Sequence, residues 1–151
     1  MIKSLVFDKD GVLLDLIETW LPVMQGLAEY TLSLVPADSG RPVSRAMLLS
    51  SVGINDDTGR VDPNGLFARG SFFEIRAVWQ TLLPAGMINL QEDESYRSEV
   101  KKIVRELGRG NAVAKGDLLT PLTQLSDAGF KLAVLTNDSE GSARQGLQEL
   151  G

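Results

Sequence analysis

Residues 6–15, Val6-Phe7-Asp8-Lys9-Asp10-Gly11-Val12-Leu13-Leu14-Asp15, decide how the rest of the chain is read. The apolar run from Ile2 to Phe7 ends at Asp8-Lys9-Asp10-Gly11. That is how a buried parallel strand reads where it gives way to a loop at its carboxyl edge. Asp8 and Asp10 stand two residues apart there, so both can project into the crevice where α/β sheets bind ligands. Gly11 lets the chain turn sharply. Like charges this close are costly unless a cation shares the site, so the pair asks for a divalent metal. A metal-bound carboxylate can act as a nucleophile toward phosphorus while its neighbour shuttles protons. Asp-Gly is also a common hairpin turn. A hairpin, however, needs a second strand directly afterward, and a helical pattern follows instead.

Outward from this stretch, Ile17, Trp20, Leu21, Met24, Leu27, Ala28 and Leu34 fall mostly at three- and four-residue steps, predicting a helix. Pro22 must lie in its first turn or kink it. Residues 36–45 read as a loop, a short helix follows to about Val52 with Gly53 as its stop, and 54–65 is turn-rich. Ser71 and Glu74 form a capping box before a helix with Phe72, Ile75, Val78, Trp79 and Leu82 on its apolar stripe. A further helix covers 93–107, with Tyr96, Val100, Ile103, Val104 and Leu107 inward and Gly108 as its stop. The pattern then changes again: a helix over 117–128 closed by Gly129, a second buried strand over 130–135, and a last helix capped by Ser139. Two strands separated by an all-helical block predict a parallel α/β core with a helical insert after its first strand.

Composition removes several classes of chemistry. The 151 residues contain no Cys and no His. Thiol nucleophiles, disulfides, Ser-His-Asp triads and imidazole zinc sites are therefore excluded. A metal must sit among oxygen ligands, which favours magnesium or calcium. The net charge of −5 argues against nucleic acid or an anionic membrane as partner. Neither a signal peptide nor a membrane span is legible, so a cytoplasmic protein is expected.

The residues 6–15 resemble the first motif of the haloacid dehalogenase-like (HAD) superfamily, hhhhDxDGxLxD, in the branch whose helical cap follows that motif. Residues 130–151, FKLAVLTNDSEGSARQGLQELG, resemble its second motif, a strand ending in Thr or Ser and then a helix. The stretch 116–137 is similar to the corresponding helix and strand of phosphoglycolate-phosphatase-like members. The resemblance implies a Rossmann-like α/β core over 1–15 and 114–151, with two of its parallel strands visible, and an all-helical cap over 16–113.

It also implies roles. Asp8 becomes the nucleophile that forms an aspartyl-phosphate, and Asp10 the acid and base. Mg²⁺ is bound by one Asp8 oxygen and the Asp10 backbone carbonyl. Thr136 holds the transferring phosphoryl group through its hydroxyl and N–H, with the Asn137 amide beside it and the Lys9 backbone N–H opposite. The implied activity is Mg²⁺-dependent hydrolysis of a small phosphorylated metabolite. The dehalogenase branch lacks a second Asp at the place of Asp10, which favours phosphate esters.

The same resemblance implies a downstream Lys and a downstream acidic pair, and fifteen residues follow Thr136 here. The sequence is therefore expected to lack both, and its sheet to be completed by further chain or by self-association. Lys115 and Lys131 read as solvated charges, Arg41 and Arg45 as surface charges, and Asp138 as a helix N-cap rather than a metal contact. Asp15 reads as a hinge or cap of the first long helix. Trp20 and Trp79 read as core residues. Arg69, Gly70 and Ser71, at a helix start, are candidates for substrate contacts from the cap. Alternative readings are a phosphomutase and a catalytically inactive HAD-like module that binds phosphate or a partner protein. A receiver-type regulator ranks below these, because its architecture has no helical insert of this size.

Overall fold

A computed structural model describes residues 3–37, 39–40 and 42–151. The strand start expected at Ile2 and the surface position expected of Arg41 lie outside the described residues. In chain order the elements are β1 (Ser4–Asp8), α1 (Leu16–Ser33), α2 (Arg45–Ser51), α3 (Leu66–Arg69), α4 (Phe72–Leu82), α5 (Glu94–Gly108), α6 (Leu119–Asp127), β2 (Lys131–Leu135) and α7 (Glu140–Glu149). They gather into two compact units, one of Met1–Trp20 with Gly108–Gly151 and the other of Leu21–Leu107.

In the first unit β1 and β2 pair in parallel, in register from Ser4↔Lys131 to Asp8↔Leu135. Parallel neighbours require a long connection, and everything from the end of β1 to the start of β2 serves as it. Along β1, Leu5 and Phe7 are half-buried while Val6 and Asp8 are exposed, the alternation expected of a strand with one covered face. Both strands were expected to be buried, and the structure corrects this: Val6 is 63% exposed and Leu135 73%. Among the described residues the sheet has two strands, so each has one neighbour and part of its surface meets solvent.

The buried apolar residues of this unit, Leu13 and Leu14, lie in the loop after β1. The N–H groups of both reach back to the Lys9 carbonyl at 2.9 Å, and Gly11 N–H bonds the Leu14 carbonyl at 2.8 Å. Gly11 has φ +82°, the left-handed conformation that this tight turn requires. The other side of the loop is pinned by Lys115 N–H to the Leu13 carbonyl and by Asp15 N–H to the Val113 carbonyl. Asp15 then caps α1, its Oδ1 accepting the N–H groups of Ile17 and Glu18 at 3.0 and 3.1 Å.

Among the described residues the helices α2 to α5 and most of α1 make up the second unit, with one isolated β-bridge between Ile54 and Val61, and they share a buried core. Val23, Met24, Leu27 and Ala28 of α1, Leu48 and Leu49 of α2, Ile75 and Trp79 of α4, and Tyr96 and Val100 of α5 are buried in it. Some polar groups inside are paired, whereas Asp56 Oδ1, Arg76 Nε and Gln91 Oε1 are buried without a hydrogen bond. The Trp79 indole donates to the Leu48 carbonyl at 2.8 Å, and the Thr31 and Tyr96 hydroxyls share a bond of 2.7 Å. Burial pushes the Tyr96 phenol above its ordinary range, with the Thr31 bond acting against it. The Ser71–Glu74 capping box is formed in both directions at the start of α4.

Several expectations change here. Of the two placements expected for Pro22, the first turn is not the one taken: Pro22 lies well inside α1, so the Glu18 carbonyl loses its helical donor. The helix runs through nonetheless because its buried face holds it. The short α3 was not legible: a four-residue helix has too few positions to show a period. Helix α5 includes Gly108 instead of stopping before it. Leu107, expected inward, is exposed, although its Cδ1 occupies the space a side chain at Gly26 would need. Ile17, on the expected stripe of α1, is also exposed.

Candidate active site

The parallel register brings the ends of β1 and β2 side by side, with Asp8 opposite Leu135. Both strands give way to loops at this edge, so residues from chain positions far apart line one open pocket: Val6, Phe7, Asp8, Leu135, Thr136 and Asn137. The sequence-predicted residues Asp8, Thr136 and Asn137 are thus together. Asp8 and Asn137 are exposed and Thr136 is half-buried. The Thr136 hydroxyl accepts the Asp138 N–H at 3.2 Å, which leaves its own proton to donate elsewhere. Asp8 Oδ1 accepts the N–H of Lys9 at 2.7 Å. That amide, expected to face a phosphoryl group, is therefore engaged by the neighbouring carboxylate in this structure.

Asp10 is half-buried and oriented from two sides. Its Oδ1 accepts the Lys9 ammonium at 2.8 Å and the Trp20 indole N–H at 2.6 Å. Lys9 continues the inward alternation of Leu5 and Phe7, and it is 1% exposed. An ammonium this far from water must be paired. Beyond Asp10, its Nζ lies 3.3 Å from Asp138 Oδ2 and 5.2 Å from the centre of the Trp20 ring. Asp138 Oδ2 is itself buried without a hydrogen bond of good geometry, so its contact with Lys9 is an ion pair only. The cation that the carboxylates of this loop call for is thus supplied in part by the chain.

Three side chains of this arrangement were not assigned to it from sequence. The sequence points to the Lys9 backbone N–H, not to its side chain. Trp20 was read as core, yet its N–H is directed at Asp10; the available signal was that a partly buried indole needs an acceptor. Asp138 was read as an N-cap, a role that Ser139 fills by accepting the Ser142 N–H. Asp138 Oδ1 instead takes the Ser139 N–H at 2.7 Å while Oδ2 faces Lys9.

The remaining candidates lie elsewhere. Arg69 ends α3 and its guanidinium reaches the Asn64 side chain at 3.4 Å, Gly70 follows it, and Ser71 serves the α4 capping box. Lys115, expected to be free in solvent, is half-exposed but paired with Asp15 at 3.2 Å. The Asp15 carboxyl is held below its ordinary range by the Glu18 backbone N–H and then by Lys115. Arg45 pairs with Asp56 and Glu29.

As to a metal, the acidic donor that lines the pocket is the Asp8 carboxylate; the Asp10 carbonyl, two residues further on, accepts no backbone N–H among the described residues. No group of three or more acidic side chains gathers there among the described residues. Few protein ligands, with water and a substrate oxygen completing the shell, is the arrangement that Mg²⁺ tolerates. The residues present therefore fit that ion.

The parallel sheet thus brings one strand-end aspartate, Asp8, into a pocket with Thr136 and Asn137, while the Asp10 carboxylate is turned to Lys9 and Trp20. The chain matches the haloacid dehalogenase-like hydrolases over residues 2–151 and belongs to that family. No curated protein and no solved structure is similar enough to the chain to add to this match. Among the described residues no helix is long and apolar enough to cross a membrane.

Proposed function

We propose that this hydrolase cleaves a small phosphomonoester, with Mg²⁺, through an aspartyl-phosphate on Asp8. The observation that carries the reading is the exposed Asp8 carboxylate at the end of β1, sharing a pocket with Thr136 and Asn137 at the end of β2. In the first step an Asp8 oxygen bonds to phosphorus as the ester P–O bond breaks, and Asp10 gives its proton to the leaving oxygen. In the second, Asp10 takes a proton from water, the water oxygen bonds to phosphorus, and the Asp8–phosphorus bond breaks to release phosphate. The Thr136 hydroxyl and the Asn137 amide donate to the phosphoryl oxygens as charge builds on them. The Asp8 carboxylate and the Asp10 carbonyl would hold Mg²⁺, which when bound would supply neutralisation of that charge.

The helical unit, inserted between β1 and β2, is read as the cap of a phosphoglycolate-phosphatase-like enzyme, with Arg69, Gly70 and Ser71 as its substrate contacts. The exposed strands support completion of the sheet by further chain or by a second copy. The test is release of phosphate from an aryl phosphate with and without Mg²⁺. Wild-type turnover that Asp8→Asn abolishes is expected. Turnover that survives Asp8→Asn would overturn the nucleophile assignment.

A second reading is an inactive module that binds phosphate. It is favoured by the Lys9 ammonium, which is engaged with Asp10 and Asp138, and by the absence of a three-carboxylate cluster among the described residues. Phosphate binding without turnover in the same assay would select it.

A further inference from the structure

We propose that Lys9 is a positioning residue: its buried ammonium aims the Asp10 carboxylate and ties the loop after β1 to the loop after β2. The inference rests on the proposed role of Asp10 and extends it to a side chain that touches no substrate. A lysine this deeply buried has to be explained. The transfer of an ammonium out of water costs several kcal/mol on the general scale, and one carboxylate rarely offsets it. Here two carboxylates face it, Asp10 at 2.8 Å and Asp138 at 3.3 Å, and the Trp20 ring closes a third side at 5.2 Å.

The arrangement links three chain segments. Asp10 lies in the β1 loop, Trp20 in α1, and Asp138 directly before α7, two residues after Thr136. Lys9 and Trp20 both donate to the same Asp10 oxygen, Oδ1. Two donors on one oxygen fix the carboxylate in rotation and leave Oδ2 as the oxygen that can exchange a proton. On the other side, Lys9 holds Asp138, whose N–H is bonded to the Thr136 hydroxyl. One ammonium therefore sets both the acid–base group and the loop that carries the phosphoryl-binding threonine. Lys9→Met keeps the length and the apolar stem while removing the charge and the donors.

The test combines kinetics with the two indole N–H resonances of the protein labelled with ¹⁵N-tryptophan, one from Trp20 and one from Trp79. In Lys9→Met the Trp20 resonance should shift, while the Trp79 resonance, which reports the helical unit, should hold its place. The kcat for an aryl phosphate should fall roughly 10- to 100-fold, as for the loss of other groups that orient a reacting side chain, with KM within about twofold.

An unmoved Trp20 resonance would overturn the proposal, as would a shifted resonance with unchanged kcat in an active wild type. If the wild type has no turnover, the phosphatase reading fails, and the resonance alone decides whether Lys9 positions Asp10. Should Lys9→Met lose the dispersed Trp79 signal of a folded protein, Asp138→Asn takes its place. That change keeps an oxygen for the Ser139 N–H and removes the second charge facing Lys9. It should shift the Trp20 resonance and lower kcat about three- to tenfold with KM unchanged, a milder loss because Asp10 still holds Lys9; no change in either would overturn the proposal.

Discussion

The helical unit and the α/β unit solve the burial problem differently. Of the buried apolar side chains among the described residues, Leu13 and Leu14 belong to the α/β unit and the others to the helical one. In Leu21–Leu107 several amphipathic helices turn their stripes toward each other, so Trp79, Leu48 and Tyr96 lose nearly all contact with water. Among the described residues of the α/β unit two short strands have one neighbour each, and Val6, Leu132 and Leu135 remain exposed. The proposed chemistry lies in the unit with the smaller core. Its candidate residues are held by hydrogen bonds and an ion cluster rather than by packing, and that makes mutation effects in the two units separable.

The largest expected effect is on chemistry without stability. Asp8→Asn should lower phosphate release on the order of 10⁴-fold. Its melting temperature should not change, because the side chain is exposed and an amide oxygen can still accept the Lys9 N–H. A large drop in melting temperature would show that the site and the fold of the α/β unit are not separable.

The reverse is expected of Trp79→Ala in the helical unit. Loss of a large buried ring, and of its bond to the Leu48 carbonyl, should reduce the free energy of unfolding in urea by about 3–5 kcal/mol. A change near zero would mean that the helical core is looser than its burial implies.

A smaller effect separates charge from packing in the α/β unit. Glu149, near the end of α7, accepts the N–H groups of Gly110 and Ala112 and a Gln145 amide. Its carboxyl is held below the usual carboxylate range, chiefly by the Gly110 N–H and then by Gln145. Because the folded value is the lower one, this stabilisation is present above the unfolded range and is lost as pH falls through the folded value. Melting of Glu149→Gln should therefore fall short of wild type at pH 7 and match it in strong acid. An equal deficit at both values would show that the hydrogen-bond geometry, not the charge, matters.

The smallest effect is expected of Leu135→Ala, within about 0.5 kcal/mol by urea unfolding, since the side chain is mostly in water. A loss the size of that at Trp79 would break the comparison, by showing that this strand is covered in solution.

Much of this was legible from local patterns. Ser71 and Glu74 announce their helix because a capping box needs no distant partner, and Ser139 announces α7 for the same reason. The motif from Val6 to Asp15, with the strand-loop-helix that ends in Thr136, was enough to indicate the family, since chain order and residue type carry it. The strands are less buried than their apolar composition suggests. Apolar composition gives the tendency of a strand to be covered, but the number of its neighbours is a property of the whole sheet. The helix α3 and the course of α1 through Pro22 were hidden likewise, one by its length and the other because packing along the helix outweighs one missing hydrogen bond.

By itself, then, the sequence determined the family, the order of the two strands and of the helices other than α3, and that Asp8 and Thr136 end the two paired strands. Those follow from residue type and short-range spacing, which act along the chain. Only the tertiary structure decided that Lys9 turns inward and meets Asp138, and that Trp20 gives its N–H to Asp10. Lys9 and Asp138 are 129 positions apart, and a charge buried between such distant segments depends on strand register and helix placement. No periodicity along the chain encodes them.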